Sequence, residues 1–212
     1  MVADLANIPR IYTALAEWLS CLVFIIVGKT RFSIPKLAII SLFFLVAQST
    51  FLVVTEEALG VMWVVYMALA VLLMFLFIYS TCSVTLAAAG YYTIHAFVLA
   101  EFTASLEWQI HSYLWPNKVT PDLSTVLLLI GVYATIYAGS WLAIKRYTQR
   151  SSVLNVESSH LLSAYIIGIS VFAISNLSYL TTKTPFSGQF AREIFNIRTI
   201  TGLCGILLLG TY

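Results

Sequence analysis

Charged residues are scarce in this chain. Only 9% of its 212 residues are Asp, Glu, Lys or Arg, whereas a soluble domain carries about 25%. Disordered proteins, coiled coils and nucleic-acid-binding proteins all need far more charge, so the composition excludes these three classes and a nucleic-acid partner. Because 60% of the residues are hydrophobic, the sequence predicts an integral membrane protein whose immediate partner is the lipid bilayer.

Motifs that would carry catalysis or hold a cofactor are missing. The sequence has no GxSxG serine, no GxG nucleotide loop and no HExxH zinc pair. Its cysteines lie inside apolar runs without CxxC spacing, which argues against a disulfide framework and a structural zinc site. We therefore expect no catalytic residue, cofactor or metal ligand, and the residues alone leave open whether the chain is part of an enzyme. The cysteines are Cys21, Cys82 and Cys204.

Seven apolar stretches are each compatible with crossing a bilayer, which takes about 20 residues as a helix. The stretches are continuous and do not alternate in polarity, which favours helices over a membrane β-barrel. The fold class is therefore predicted to be all-α, an integral membrane bundle of about seven transmembrane helices. Residues 1–212 would form a single polytopic membrane domain, with no soluble domain present. The predicted spans are 11–27, 37–54, 59–78, 84–113, 124–144, 161–180 and 194–212.

The basic residues of the connections predict the orientation. Cytoplasmic connections carry an excess of Lys and Arg. If the C-terminus is cytoplasmic, six basic residues face inward: Lys29, Arg31, Lys36, Lys145, Arg146 and Arg150. Four then face outward: Arg10, Lys118, Lys183 and Arg192. The bias favours an extracellular N-terminus and a cytoplasmic C-terminus.

Polar side chains inside the spans are the candidates for function, because they are costly in a bilayer and therefore rare. A helix rises about 1.5 Å per residue, which places most of them in the outer half of the bundle. Such a layer forms either an outward-facing pocket for an extracellular ligand or a structural set of ion pairs and hydrogen bonds. Arg198 has three glutamates as possible ion-pair partners. The candidate ligand-binding or signalling residues are Glu17, Glu101, Glu107, Asn176, Asn196 and Arg198.

A metal site on the fourth span is a weaker interpretation. His95, Glu101, Glu107 and His111 are metal-ligating residue types. However, Glu101 and Glu107 project about 120° apart on a helix, so one helix cannot turn all four side chains to one ion. His111, near the end of the span, is expected to be solvated or to reach the interface. Most of the tryptophans, which often lie near span ends, are expected to anchor the helices at the membrane interface.

Five segments, in their order and spacing, resemble the membrane sensor region of GHKL-type sensor histidine kinases of Gram-positive Firmicutes. Relatives of that family include the Agr-type quorum-sensing receptors. The resemblance covers nearly the whole chain, and AEF…SLEW and FNIRT are its most specific parts. The segments are IYTALAEW (11–18), LMFLFIY (73–79), AFVLAEFTASLEWQ (96–109), AISNLSYL (173–180) and TPFSGQFAREIFNIRT (184–199).

The resemblance implies a sensor domain of a two-component signalling system in the cell membrane of a Gram-positive bacterium. Such a domain would detect an extracellular small molecule or peptide and pass the signal inward through its last helix. The resemblance also implies a homodimer. The kinase domain is expected to be absent from this chain, so a cytoplasmic response regulator would be reached only through that missing domain.

The competing hypothesis is a substrate-binding membrane subunit of a vitamin-type or other small-solute transporter. The chain length and the number of helices suit that function. A carrier is expected to have helices broken by Gly or Pro at the midplane, and here no proline interrupts a predicted span. A structural partner of another membrane protein is the third interpretation.

Overall fold

The computed structural model describes residues 8–58, 61–115, 122–150, 158–180 and 191–209. Each of the seven predicted spans coincides with a helix, and the ends differ by a few residues. The fifth helix shows the largest difference, since it continues past Ile144 to Arg150. The helices are α1 (Arg10–Val27), α2 (Ile34–Val54), α3 (Val61–Thr81), α4 (Leu86–Leu114), α5 (Leu123–Arg150), α6 (Ser158–Leu180) and α7 (Ala191–Leu209).

Within the described residues, four helices are long and apolar enough to cross a membrane: α1, α2, α3 and the part of α5 from Leu123 to Arg146. In α6 and α7 the apolar segments within the described side chains are shorter, Leu161–Ile174 and Ile197–Leu207. The structure therefore supports an all-helical protein associated with a membrane. The count of seven spans and the orientation stay predictions.

Helix α4 lies at the centre of the bundle and packs against α1, α3, α5, α6 and α7. It is 29 residues long, yet it is not among the four helices with the composition of a membrane span. Its position explains this difference. Neighbouring helices rather than lipid surround α4, so its polar side chains can find protein partners.

The helices alternate in direction, so the bundle has two distinct ends. Tyr12 contacts Trp108 near the start of α1, whereas Phe24 stacks on Tyr92 near its finish, which shows that α1 and α4 are antiparallel. The helices α1, α3, α5 and α7 all begin at one end of the bundle, which we call the Arg10 end. We call the opposite end the Cys82 end.

Backbone hydrogen bonds join two connections at the Cys82 end. Arg31 donates its N–H to the carbonyl of Thr81 at 2.8 Å, and Ser83 donates to the carbonyl of Lys29 at 2.8 Å. These bonds form an isolated antiparallel bridge between Thr30 and Cys82. The α1–α2 connection is thereby fixed to the α3–α4 connection.

Candidate functional site

Four polar side chains from four helices, three of them buried and Arg198 partly buried, form what we call the polar layer. Glu17 comes from α1, Gln48 from α2, Glu101 from α4 and Arg198 from α7. The two glutamates are only 1% and 4% exposed, and the Arg198 side chain is 10% exposed. Buried charges need partners, and the structure provides them in two pairs.

The first pair joins the last helix to the central one. Arg198 donates from Nη2 to Oε2 of Glu101 at 2.9 Å, which forms an ion pair. The sequence left three glutamates as possible partners for Arg198, and this contact selects Glu101. Removing one member of a buried ion pair typically costs about 3–5 kcal/mol, because the other charge remains buried.

Glycines let α7 approach α4 closely beside this ion pair. A Cβ atom added at Gly202 would lie 3.0 Å from Cβ and 3.1 Å from Cα of Phe102. A Cβ atom at Gly205 would lie 2.8 Å from Cγ1 of Val98. Residues 198, 202 and 205 are spaced by four and three, so they share one face of α7. Small residues on such a face allow the two backbones to meet.

The second pair joins α1 to α2. Gln48 donates from Nε2 to Oε2 of Glu17. The same nitrogen lies 3.4 Å from the carbonyl oxygen of Ala70 in α3. Three helices thus meet at one amide. Sequence reasoning missed Gln48, although an amide within an otherwise apolar span was a usable signal.

The two pairs belong to one electrostatic environment. Glu17 is close enough to Glu101 and Arg10 for their charges to interact. Arg10 is itself buried, and its Cζ lies 3.8 Å from the ring centroid of Trp63. Arg10 was predicted to lie outside the first span, and most of the tryptophans were predicted to lie at the interface. Arg10 and Trp63 are instead packed inside the bundle, where the aromatic face accommodates the guanidinium.

Glu107 lies apart from the polar layer, nearer the Arg10 end. It is 0% exposed, and neither of its carboxyl oxygens has a hydrogen-bond partner within the described residues. Its charge interacts with the phenol groups of Tyr12 and Tyr133. We call the adjacent aromatic residues Tyr12, Trp108 and Tyr133 the aromatic collar.

Hydrogen bonds and ring contacts hold the collar in place. The Tyr133 hydroxyl donates to the carbonyl oxygen of Tyr12 at 2.9 Å, which joins α5 to α1. The rings of Tyr12 and Trp108 meet edge to face, with centroids 6.5 Å apart. One turn further along α5, the Tyr137 hydroxyl donates to the carbonyl of Ala16 at 2.8 Å. Tyr133 and Tyr137 are four residues apart, which places both on the face of α5 that meets α1.

The prediction that His111 is solvated is wrong, because this side chain is only 4% exposed. Its ring stacks on Trp108, with centroids 4.8 Å apart, and it also contacts Trp115. Trp108 is buried as well, so it does not anchor the helix at an interface. Ile8 and Tyr12 pack in the same cluster as Trp108 and cover this part of α4.

The structure does not join all the residues that the sequence singled out. Glu17, Glu101 and Arg198 lie in the polar layer, whereas Glu107 is not part of either pair, although Tyr133 interacts electrostatically with both Glu107 and Glu17. Asn176 and Asn196 lie outside the residues whose side chains the structure describes. Within the part of the chain that the structure describes, no group of three or more His, Cys, Asp or Glu residues could hold a metal ion.

Comparisons with known proteins do not identify a family. The chain matches no protein-family model, no curated protein sequence and no solved structure. The function has to be argued from the polar layer and from Glu107, because a site, and not a helical architecture, determines function.

Proposed function

We propose that this chain is the membrane-embedded sensor domain of a histidine kinase in a two-component signalling system. The domain would detect an extracellular small molecule or peptide and pass the signal inward through α7. One observation carries the proposal: the Arg198–Glu101 ion pair joins the last helix to the buried centre of the bundle. The resemblance of five segments to kinase sensor regions supports the same conclusion.

The ion pair suits a helix that has two positions. Packed interfaces change between discrete arrangements, often by shifts of about 1–2 Å or by one helical turn of 5.4 Å. A shift of one turn would separate Arg198 from Glu101 and leave both charges inside the bundle. The shifted arrangement is therefore the less stable one until a ligand or another polar group compensates the separated charges. A ligand that binds one arrangement more tightly shifts the population toward it.

The proposed topology has seven spans, an extracellular N-terminus and a cytoplasmic C-terminus. The Arg10 end is then extracellular, and Glu17 lies about 10 Å along α1 from that end. A ligand entering from outside would reach the polar layer, and α7 would lead to a kinase domain and a response regulator in the cytoplasm. The resemblance adds a homodimer in the membrane of a Gram-positive bacterium.

A fusion protein tests the coupling. The full chain is joined after Tyr212 to the dimerisation and kinase domains of a sensor kinase that drives a fluorescent reporter. The probe is the low-molecular-weight fraction of culture supernatants. We expect Arg198→Gln and Glu101→Gln each to change the response by about tenfold or more, which corresponds to about 1.4 kcal/mol in the switching equilibrium. Insertion into the membrane should be retained.

Two further variants make the test specific. The exchange Glu101→Arg with Arg198→Glu keeps an ion pair and should recover part of the response. Glu57→Gln removes an exposed carboxylate and should leave the response unchanged. A response that falls only in proportion to the amount of folded protein would overturn the proposal. ATP-dependent uptake of a vitamin, with no reporter response, would support the transporter hypothesis instead.

A further inference from the structure

We propose that Glu107 and the aromatic collar form a binding site for a positively charged nitrogen group, an ammonium or a guanidinium, on an extracellular ligand. The inference rests on the proposed function in one respect, that the ligand arrives at the Arg10 end from outside. It adds the charge and chemical class of the ligand. Binding to this site can be measured without any signal.

The three glutamates that are buried among the described residues have different surroundings. Glu101 is paired with Arg198, and Glu17 accepts a hydrogen bond from Gln48. Glu107 is as deeply buried as these two, but both of its carboxyl oxygens are without a hydrogen-bond partner among the described residues. A buried carboxylate without a partner carries a large desolvation cost. A cationic group would offset this cost.

The tyrosine hydroxyls of α5 do not serve this purpose. Tyr133 interacts with Glu107 electrostatically, yet its hydroxyl hydrogen is donated to the carbonyl oxygen of Tyr12. Tyr137, one turn further on, donates to Ala16. The phenols of α5 are thus occupied in joining α5 to α1. Their arrangement leaves the carboxylate as an acceptor for an incoming donor.

The collar complements a cation. Aromatic faces attract ammonium and guanidinium groups, by about 0.5–2 kcal/mol depending on desolvation. A charged N–H donor also forms a shorter and stronger bond with a carboxylate than a neutral donor does. Tyr12 and Tyr133, which lie close enough to Glu107 to interact with its charge, offer the aromatic surface, and Glu107 offers the countercharge. A neutral or anionic group of the same shape lacks the second interaction.

The position in the bundle gives a route of entry. Glu107 lies about 10 Å along α4 from its last residue, Leu114, and Tyr113 near that end is 84% exposed. Ile8, two residues before α1, packs in the cluster that contains Tyr12 and Trp108. A ligand that arrives from the Arg10 end would have to displace Ile8 from this cluster.

Three probes of similar shape test the charge preference. The full chain is reconstituted in nanodiscs of a zwitterionic lipid and titrated with phenethylammonium, 2-phenylethanol or phenylacetate. Binding is followed by tryptophan fluorescence and calorimetry, with empty nanodiscs as the blank. We expect phenethylammonium to bind about tenfold or more tightly than the alcohol. Phenylacetate should bind more weakly than both.

Glu107→Gln should abolish the preference for the cation, because the amide keeps the shape and removes the charge. Glu57→Gln is the matched control at an exposed glutamate and should bind all three probes like the unmodified chain. Equal binding of the cation and the alcohol to the unmodified chain would overturn the proposal, even if the Glu107 variant does not fold. So would an undiminished preference in a folded Glu107 variant.

The binding experiment and the reporter experiment can fail independently of each other. If phenethylammonium binds through Glu107 while the ion-pair variants leave the reporter unaffected, the cation site stands and the sensor proposal fails. If the reporter responds to supernatants equally with and without the Glu107 charge, and the charge preference is absent, the cation site fails and the sensor proposal stands.

Discussion

Glu101 and Glu107 lie on the same helix, six residues apart, and both are buried. Glu101 faces α7 and has a charged partner there, whereas Glu107 lies near α1 and α5 and has none among the described residues. Identical side chains at similar burial therefore have different consequences. Glu101 holds α4 and α7 together, and Glu107 is the carboxylate that we propose binds a cation from outside.

The largest effect is expected from breaking the ion pair. Glu101→Gln should lower the free energy of unfolding by about 3–5 kcal/mol, because the Arg198 charge stays buried without its countercharge. Unfolding of the full chain in nanodiscs by steric trapping measures the change. The double substitution Glu101→Leu with Arg198→Met serves as the control. It removes both charges and should restore most of the stability, but not the response of the fusion protein. Equal loss in the single and double variants would contradict the ion-pair argument.

Crowding the contact between α4 and α7 should have the next largest effect. Gly202→Leu places a side chain against the backbone of Phe102, so we expect a loss of about 1–3 kcal/mol. Gly131→Leu is the matched control, since a Cβ atom there meets nothing within 4 Å. Thermal unfolding followed by circular dichroism compares the two. A similar midpoint for both variants would show that α7 does not pack on α4 at this glycine.

Removing the amide that joins α1, α2 and α3 should cost somewhat less. Gln48→Leu leaves Oε2 of Glu17 without its donor, and a buried acceptor without a partner costs about 1–3 kcal/mol. Thr50→Leu, on the exposed part of the same helix, is the control and should change little. Steric trapping measures the free energy of unfolding of the two variants. If both variants unfold alike, the Glu17–Gln48 contact contributes nothing to stability.

No loss of stability is expected at Glu107. Glu107→Gln breaks no hydrogen bond found in the described residues and removes the desolvation cost of the buried carboxylate, so the free energy of unfolding should stay the same or rise. The measurement is the one used for Glu101→Gln, which makes the comparison direct. A loss as large as that for Glu101→Gln would mean that Glu107 has a structural partner and that the two sites do not differ.

The sequence was sufficient to predict the helices, because long apolar runs and prolines in the connections are local signals. It also identified Glu17, Glu101, Glu107 and Arg198 as charges within the spans, but it missed the burial of Arg10. It did not predict which glutamate pairs with Arg198, since three carboxylates were compatible and only the packing of α4 against α7 selects Glu101. Arg10, Trp63 and His111 were assigned to the membrane surface from their position near helix ends. Side-chain direction decides burial there, and hydropathy does not encode it.

A second limit of prediction from the sequence concerns the contacts of Gln48, Tyr133 and Tyr137. Each is a single polar group in an apolar or mixed span, with no motif around it. Their contacts join residues 31, 121 and 121 positions apart. Such distant pairings follow from how the helices assemble, and no local pattern specifies them.

The bridge between Thr30 and Cys82 has a mechanical consequence. It joins the α1–α2 and α3–α4 connections at the Cys82 end. We therefore expect relative motion of these four helices to be a rotation about that end. A helix the length of α1, with 18 residues, is a lever of about 27 Å. A tilt of about 5° then displaces its tip at the Arg10 end by about 2 Å while the tip at the Cys82 end hardly moves. The polar layer and the aromatic collar lie toward the Arg10 end, where a given rotation produces the largest displacement.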